Sequence, residues 1–101
     1  MYEPKLHNEQ TELLMQAVLS LETAEDAYRF FEDLCTISEL KSISQRMAVA
    51  AKLRTGVTYQ EIAQETGASS ATISRVNRAL LWGAGGYTAV LERMEEQSSG
   101  D

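Results

Sequence analysis

The chain has 101 residues, 44% of them hydrophobic and 24% charged, with a formal net charge of −6. That composition is globular rather than disordered, and the length suits a single domain, residues 1–101, small enough that a core shared between two copies would help it. Cys35 is the one cysteine, so no internal disulfide forms, and no apolar run approaches the roughly 20 residues of a membrane span. The start, Met1-Tyr2-Glu3-Pro4-Lys5, lacks the basic-then-apolar order of a secretory leader. A soluble, cytoplasmic protein without membrane contact is expected.

No segment alternates like a strand, and an all-α bundle is expected. A first helix near Glu9 to Leu21 carries Leu13, Leu14, Ala17, Val18 and Leu21 at helical spacing, with Met15 and Leu19 on a second face. Apolar around most of its circumference, it needs burial, here against another subunit. A second helix starts at Thr23, with Asp26 in a variant of the capping box, and ends near Cys35. It aligns Ala27, Phe30, Phe31 and Leu34. The third is expected to open at Ser38 as N-cap, with Leu40, Ile43, Met47, Ala50 and Leu53 as its apolar stripe and Gly56 at its stop.

Thr58 offers another N-cap, with Glu61 three residues on, for a short helix from Tyr59 to Thr66 that Gly67 closes. Ser69 or Ser70 caps the next, from about Ala71 to Trp82. Gly83, Gly85 and Gly86 then break the chain. A last helix from about Tyr87 to Glu96 carries Val90, Leu91 and Met94, and the tail Gln97 to Asp101 should fray.

The charge is distributed unevenly. From Lys41 to Trp82 there are six bases (Lys41, Arg46, Lys52, Arg54, Arg75, Arg78) and two acids, Glu61 and Glu65, a local surplus of four positive charges. Phosphates feel nearby charges within about 8–10 Å at physiological salt, so a cationic middle between acidic flanks matters more than the net value.

Short helix, glycine turn and second helix with a polar face is the helix-turn-helix pattern, here residues 58–82. Ala63 is small enough for close crossing, and Gly67 can take the left-handed backbone of a tight turn. Ile62, Ile73 and Val76 would pin the pair to the core. The face left over holds Ser69, Ser70, Thr72, Ser74, Arg75 and Arg78, short donors and two guanidiniums suited to phosphates and base-edge acceptors.

The segment from Thr36 to about Leu80 resembles the Trp repressor, and the whole chain resembles its shorter relatives of the YerC/YecD type. The matching words are Ile43-Ser44-Gln45-Arg46-Met47-Ala48-Val49, Leu53-Arg54, Thr58-Tyr59-Gln60-Glu61-Ile62-Ala63 and Thr66-Gly67-Ala68-Ser69-Ser70-Ala71-Thr72-Ile73-Ser74-Arg75. The resemblance implies an intertwined homodimer, with dimerisation helices at about 9–35 and 87–97, on double-stranded DNA. Half-sites would lie about one helical turn apart, read by the helix at 71–82. By position, Ser69, Ser70, Ala71, Thr72 and Ser74 would face base edges, while Arg54, Tyr59 and Gln60 would lie near the DNA backbone. An effector pocket is implied at Thr36, Arg46 and Arg75. There Val76 replaces a glycine that leaves room for an indole, and Ala79 replaces a serine. Both replacements speak against a tryptophan co-repressor, so no cofactor is expected; a different small effector, or none, remains.

The other conspicuous residues have plainer readings. Cys35 packs as a small apolar side chain, and His7 has no Cys/His cluster to join, so no metal is expected. Trp82 is expected to anchor the reading helix on the dimer core. Arg75 could instead pair with Glu61 or Glu65. The Gly83–Gly86 stretch follows a helix and lacks a Lys-Ser/Thr, so it is a hinge rather than a phosphate loop. No paired carboxylates or nucleophile–base set marks an enzyme. The expected function is a sequence-specific transcriptional regulator acting as a repressor. The other reading is a module whose helical hairpin docks a protein of the transcription machinery.

Overall fold

The computed structural model describes residues 1–99 and, among them, six helices and no strand. They are α1 (Glu9–Leu19), α2 (Ala24–Leu34), α3 (Ile37–Leu53), α4 (Tyr59–Thr66), α5 (Ser70–Trp82) and α6 (Gly86–Ser99). The chain forms two compact units, one of residues 1–36 and one from Ile37 onward.

In the first unit the helix starts are fixed by side-chain caps. Asn8 Oδ1 accepts from the Thr11 N–H at 2.9 Å and Thr11 Oγ1 accepts from the Asn8 N–H at 2.9 Å, a reciprocal capping box. Thr23 caps α2 as expected, taking the Asp26 N–H at 3.0 Å, while the Asp26 carboxylate accepts from Glu22 N–H. Phe30 and Phe31 meet edge to face, 5.4 Å between ring centroids. None of residues 1–36 is buried; Leu13, Met15, Leu19 and Leu34 are exposed, and Cys35 is half-buried.

The second unit contains the whole core. Val49 and Ala50 of α3, Ile62 of α4, Ala68 of the turn, Ile73 and Val76 of α5 and Leu91 of α6 are buried together, with Met47, Leu53, Val57, Ala63, Leu80 and Tyr87 packed around them. Fully burying a branched side chain such as Ile62, Ile73, Val49 or Val76 stabilises the fold by about 1.5–3 kcal/mol each. Ile62, Ile73 and Val76 thus pin the helical pair as expected.

Several boundaries differ from the sequence reading. Helix α1 stops at Leu19, because the Ser20 hydroxyl and N–H both turn back onto the Ala17 carbonyl. Helix α3 begins at Ile37, so Ser38 lies inside its first turn and is not the cap. Its buried residues are Val49 and Ala50, and Ile43 is exposed. Helix α5 begins at Ser70, one residue early, because Ser69 supplies the cap. Helix α6 carries on through Gln97 and Ser98 to Ser99, so that part of the tail is helical; Gly100 and Asp101 lie outside the described residues. At the α5–α6 corner, a Cβ on Gly83 would stand 2.4 Å from the Ala79 carbonyl oxygen, which leaves room there for glycine alone.

Candidate nucleic-acid interface

Helices α4 and α5 are joined by a three-residue turn whose geometry follows from its side chains. Thr58 caps α4 by accepting the Glu61 N–H at 3.2 Å. Gly67 closes it at φ 74°, a left-handed backbone that costs other residues roughly 1–2 kcal/mol, and its N–H donates to the Ala63 carbonyl at 2.9 Å. The Thr66 hydroxyl donates to the Ile62 carbonyl at 2.7 Å and accepts from the Ala68 N–H at 3.2 Å. Buried Ala68 then seats the turn on the core.

Helix α5 divides cleanly at its 100° per residue. Ile73 and Val76 face the core, and Ala71, Ser74, Arg75 and Arg78 lie exposed on the other side together with Ser70. Ser69 and Thr72 are different. Ser69 Oγ accepts the Thr72 N–H at 3.1 Å and donates to Thr72 Oγ1 at 3.1 Å, so the Ser69 proton is spent in the cap while Thr72 Oγ1 keeps its own to donate. The hydroxyls of Ser70 and Ser74 take no part in this cap. Leu81 and Trp82 end the same face; Trp82 is 83% exposed and packs on no core of its own chain.

The cations also sort into two kinds. Lys52 pairs with Glu65, and Arg54 with Glu95 of α6 at 3.5 Å. Lys41, Arg46, Arg75 and Arg78 form no ion pair among the described residues, so Arg75 is bonded to neither Glu61 nor Glu65. Tyr59 and Gln60, in the first turn of α4, are exposed. The surface around the hairpin therefore offers unpaired guanidiniums, two hydroxyls and small side chains, the chemistry a polyanion with acceptor-rich grooves requires.

Comparison with known proteins agrees. The Trp repressor protein family model matches residues 9–95. The chain belongs to the Trp repressor family. It is 50% identical over 92 residues to the uncharacterized protein YerC of Bacillus subtilis, covering 91% of this chain and 88% of that one. A crystal structure of a candidate Trp repressor from Staphylococcus aureus superposes with a TM-score of 0.86 at 50% identity, covering 90% of this chain and 91% of that one. A TrpR-like protein from Eubacterium eligens gives 0.86 at 55% identity, covering 90% and 94%.

The positions that the family resemblance assigns to an effector fare unevenly. Thr36 is the last residue of the first unit; Arg46 on α3 and Arg75 on α5 are exposed. Val76 is packed in the core, 1% exposed. Ala79 instead lines an apolar groove with Met47, Ala84, Gly86, Tyr87 and Val90. The sequence reading passed over Gln45, whose side-chain amide donates to the Thr66 carbonyl at 3.3 Å across 21 residues. No local spacing signals such a bond. Only its place in the family's matching words marked it.

Proposed function

We propose that this member of the Trp repressor family is a sequence-specific transcriptional regulator, a cytoplasmic repressor that binds double-stranded DNA as a two-fold homodimer. The observation that carries the reading is the outward face of α5: Ser70, Ala71, Ser74, Arg75 and Arg78 stand opposite the buried Ile73 and Val76. A helix held this way can enter a major groove with its first turns at the base edges. Ala71 suits a thymine methyl, Arg75 and Arg78 suit guanine acceptors or phosphates, and Tyr59, Gln60 and Arg54 flank them on the backbone side. Ser69 and Thr72 serve as the cap and act on DNA through the placement of their neighbours.

A second copy is supported by the first unit. Its Leu13, Met15, Leu19 and Leu34 are exposed, and apolar surface of that extent calls for a covering partner. A dimer spanning a promoter would repress by occlusion. The reading includes no tryptophan co-repressor, because Val76 fills core space in which an indole would create strain.

The test is selection of bound fragments from genomic DNA, followed by gel shifts of the selected duplex over a salt series. Retention of a palindromic duplex, with affinity falling as salt rises, is expected. Absence of any enriched duplex, together with capture of a protein of the transcription machinery by the same chain, would reject it in favour of a docking module.

A further inference from the structure

We infer that Gln45 is a positioning residue for DNA discrimination, a latch that holds the helix-turn-helix hinge at the pitch the reading helix needs. The inference rests on the DNA-reading function proposed above and names a residue outside the reading face. Gln45 lies half-buried on α3, and its Nε2 donates to the Thr66 carbonyl at 3.3 Å. Thr66 ends α4, so its carbonyl is one of the helix-terminal acceptors left without an intrahelical partner. The same amide lies over Gly67, 3.9 Å from where a Cβ would be.

A second tie comes from the same side of α3. Lys52, seven residues or two turns on, pairs with Glu65, the neighbour of Thr66. Two side chains of α3 therefore hold the last turn of α4, immediately before the hinge. The two ties are unequal. Lys52 and Glu65 are partly solvated, and such a pair is weak and flexible. The Gln45 bond is part-buried, directional and fixed to backbone, so it adds an angular restraint that the apolar packing of Ile62 and Ala68 on the core does not supply.

The hydrogen bonds inside the hinge do not supply this restraint. Thr66 Oγ1 bonds only within the turn, to Ile62 and Ala68, and so sets the shape of the turn but not its attitude to α3. A base-reading helix is sensitive to attitude, since hydrogen bonds weaken steeply with misalignment, whereas phosphate attraction is not. Loss of the latch should thus erode sequence discrimination and leave non-specific, salt-dependent binding in place.

The experiment compares Gln45→Glu, Gln45→Met and Gln45→Lys with wild type, using a selected duplex and a scrambled duplex at one salt concentration. Gln45→Glu keeps the shape, removes the donor and sets a carboxylate against the carbonyl. Gln45→Met removes the donor without charge, and Gln45→Lys returns one. The expected result is a roughly threefold to tenfold fall in the specific-to-scrambled affinity ratio for Glu and Met, in keeping with one lost directional bond, and recovery toward wild type for Lys. Helix content should be unchanged, while amide exchange of residues 66–69 in DNA-free protein speeds up for Glu and Met. Wild-type ratios and exchange in Glu and Met overturn the latch, as does an equal fall in Lys, which would mean packing rather than the hydrogen bond. Failure of wild type to retain any duplex rejects the DNA reading itself, and the exchange data then decide the latch alone.

Discussion

Residues 1–36 and residues 37–99 are both helical, yet they are stabilised by different means. The first region has two bases against eight acids and no buried residue. The second has seven bases against six acids and all the buried residues of the described chain. Helix formation in the first is thus a matter of caps and propensity, and in the second of a shared core. Caps stabilise by about 1 kcal/mol each, which is little against the ordering of two 11-residue helices. The uneven charge also bears on the proposed function: a DNA duplex would be repelled by the acidic first region and attracted to the unpaired arginines of the second.

The sharpest way to break this contrast is to separate the regions. A peptide of residues 1–36 should be mostly coil by circular dichroism at micromolar concentration, since isolated helices shorter than about 12–15 residues are marginal. A stably helical monomeric peptide would show that the region needs no partner. Next come truncations of matched size. Ile62→Ala or Ile73→Ala should lower unfolding free energy by about 2–5 kcal/mol at any protein concentration. Leu19→Ala, at a side chain 77% exposed in the single chain, should matter only where a second copy covers it. Its cost in denaturant titrations should therefore grow with protein concentration.

Gly83→Ala should destabilise by about 1–3 kcal/mol, because its Cβ meets a backbone oxygen that cannot step aside. Thermal unfolding measures it. Arg75→Ala and Arg78→Ala should each cost about 1–3 kcal/mol of DNA affinity if they read bases, or lower the salt slope by about one unit if they neutralise phosphate. Arg29→Ala in the first region should do neither. The smallest effect is Glu95→Gln. By releasing Arg54 from a half-exposed ion pair it should raise DNA affinity less than about threefold, seen as a modest gel-shift gain.

Much of this was legible in the sequence, and unequally so. The spacing of Thr58, Gly67 and Ser69 defined the hairpin, because caps and left-handed turns are local chemistry with local signatures. The partition of α5 into core and outward faces likewise followed from Ile73 and Val76 at helical period. Ser38 misled because a cap residue inside a first turn has the same letter as one at its edge. That the Ser69 and Thr72 hydroxyls bond each other at the cap is not legible in composition, because it depends on the side-chain rotamers at the helix start. Gln45 was hidden for another reason: a tie across 21 residues exists only once α3 and α4 are packed. Arg54, charged and central, gave no hint that Glu95 would claim it.

Trp82 is the chain's single tryptophan and stands largely exposed at the end of α5. Its indole is therefore a native optical probe placed between the two events in question. Coverage by a second subunit would shift its emission to shorter wavelength as protein concentration rises, whereas addition of a duplex to an already assembled sample would change its intensity through nearby bases. One unlabelled fluorescence titration could then separate assembly from DNA engagement without altering an atom of the molecule.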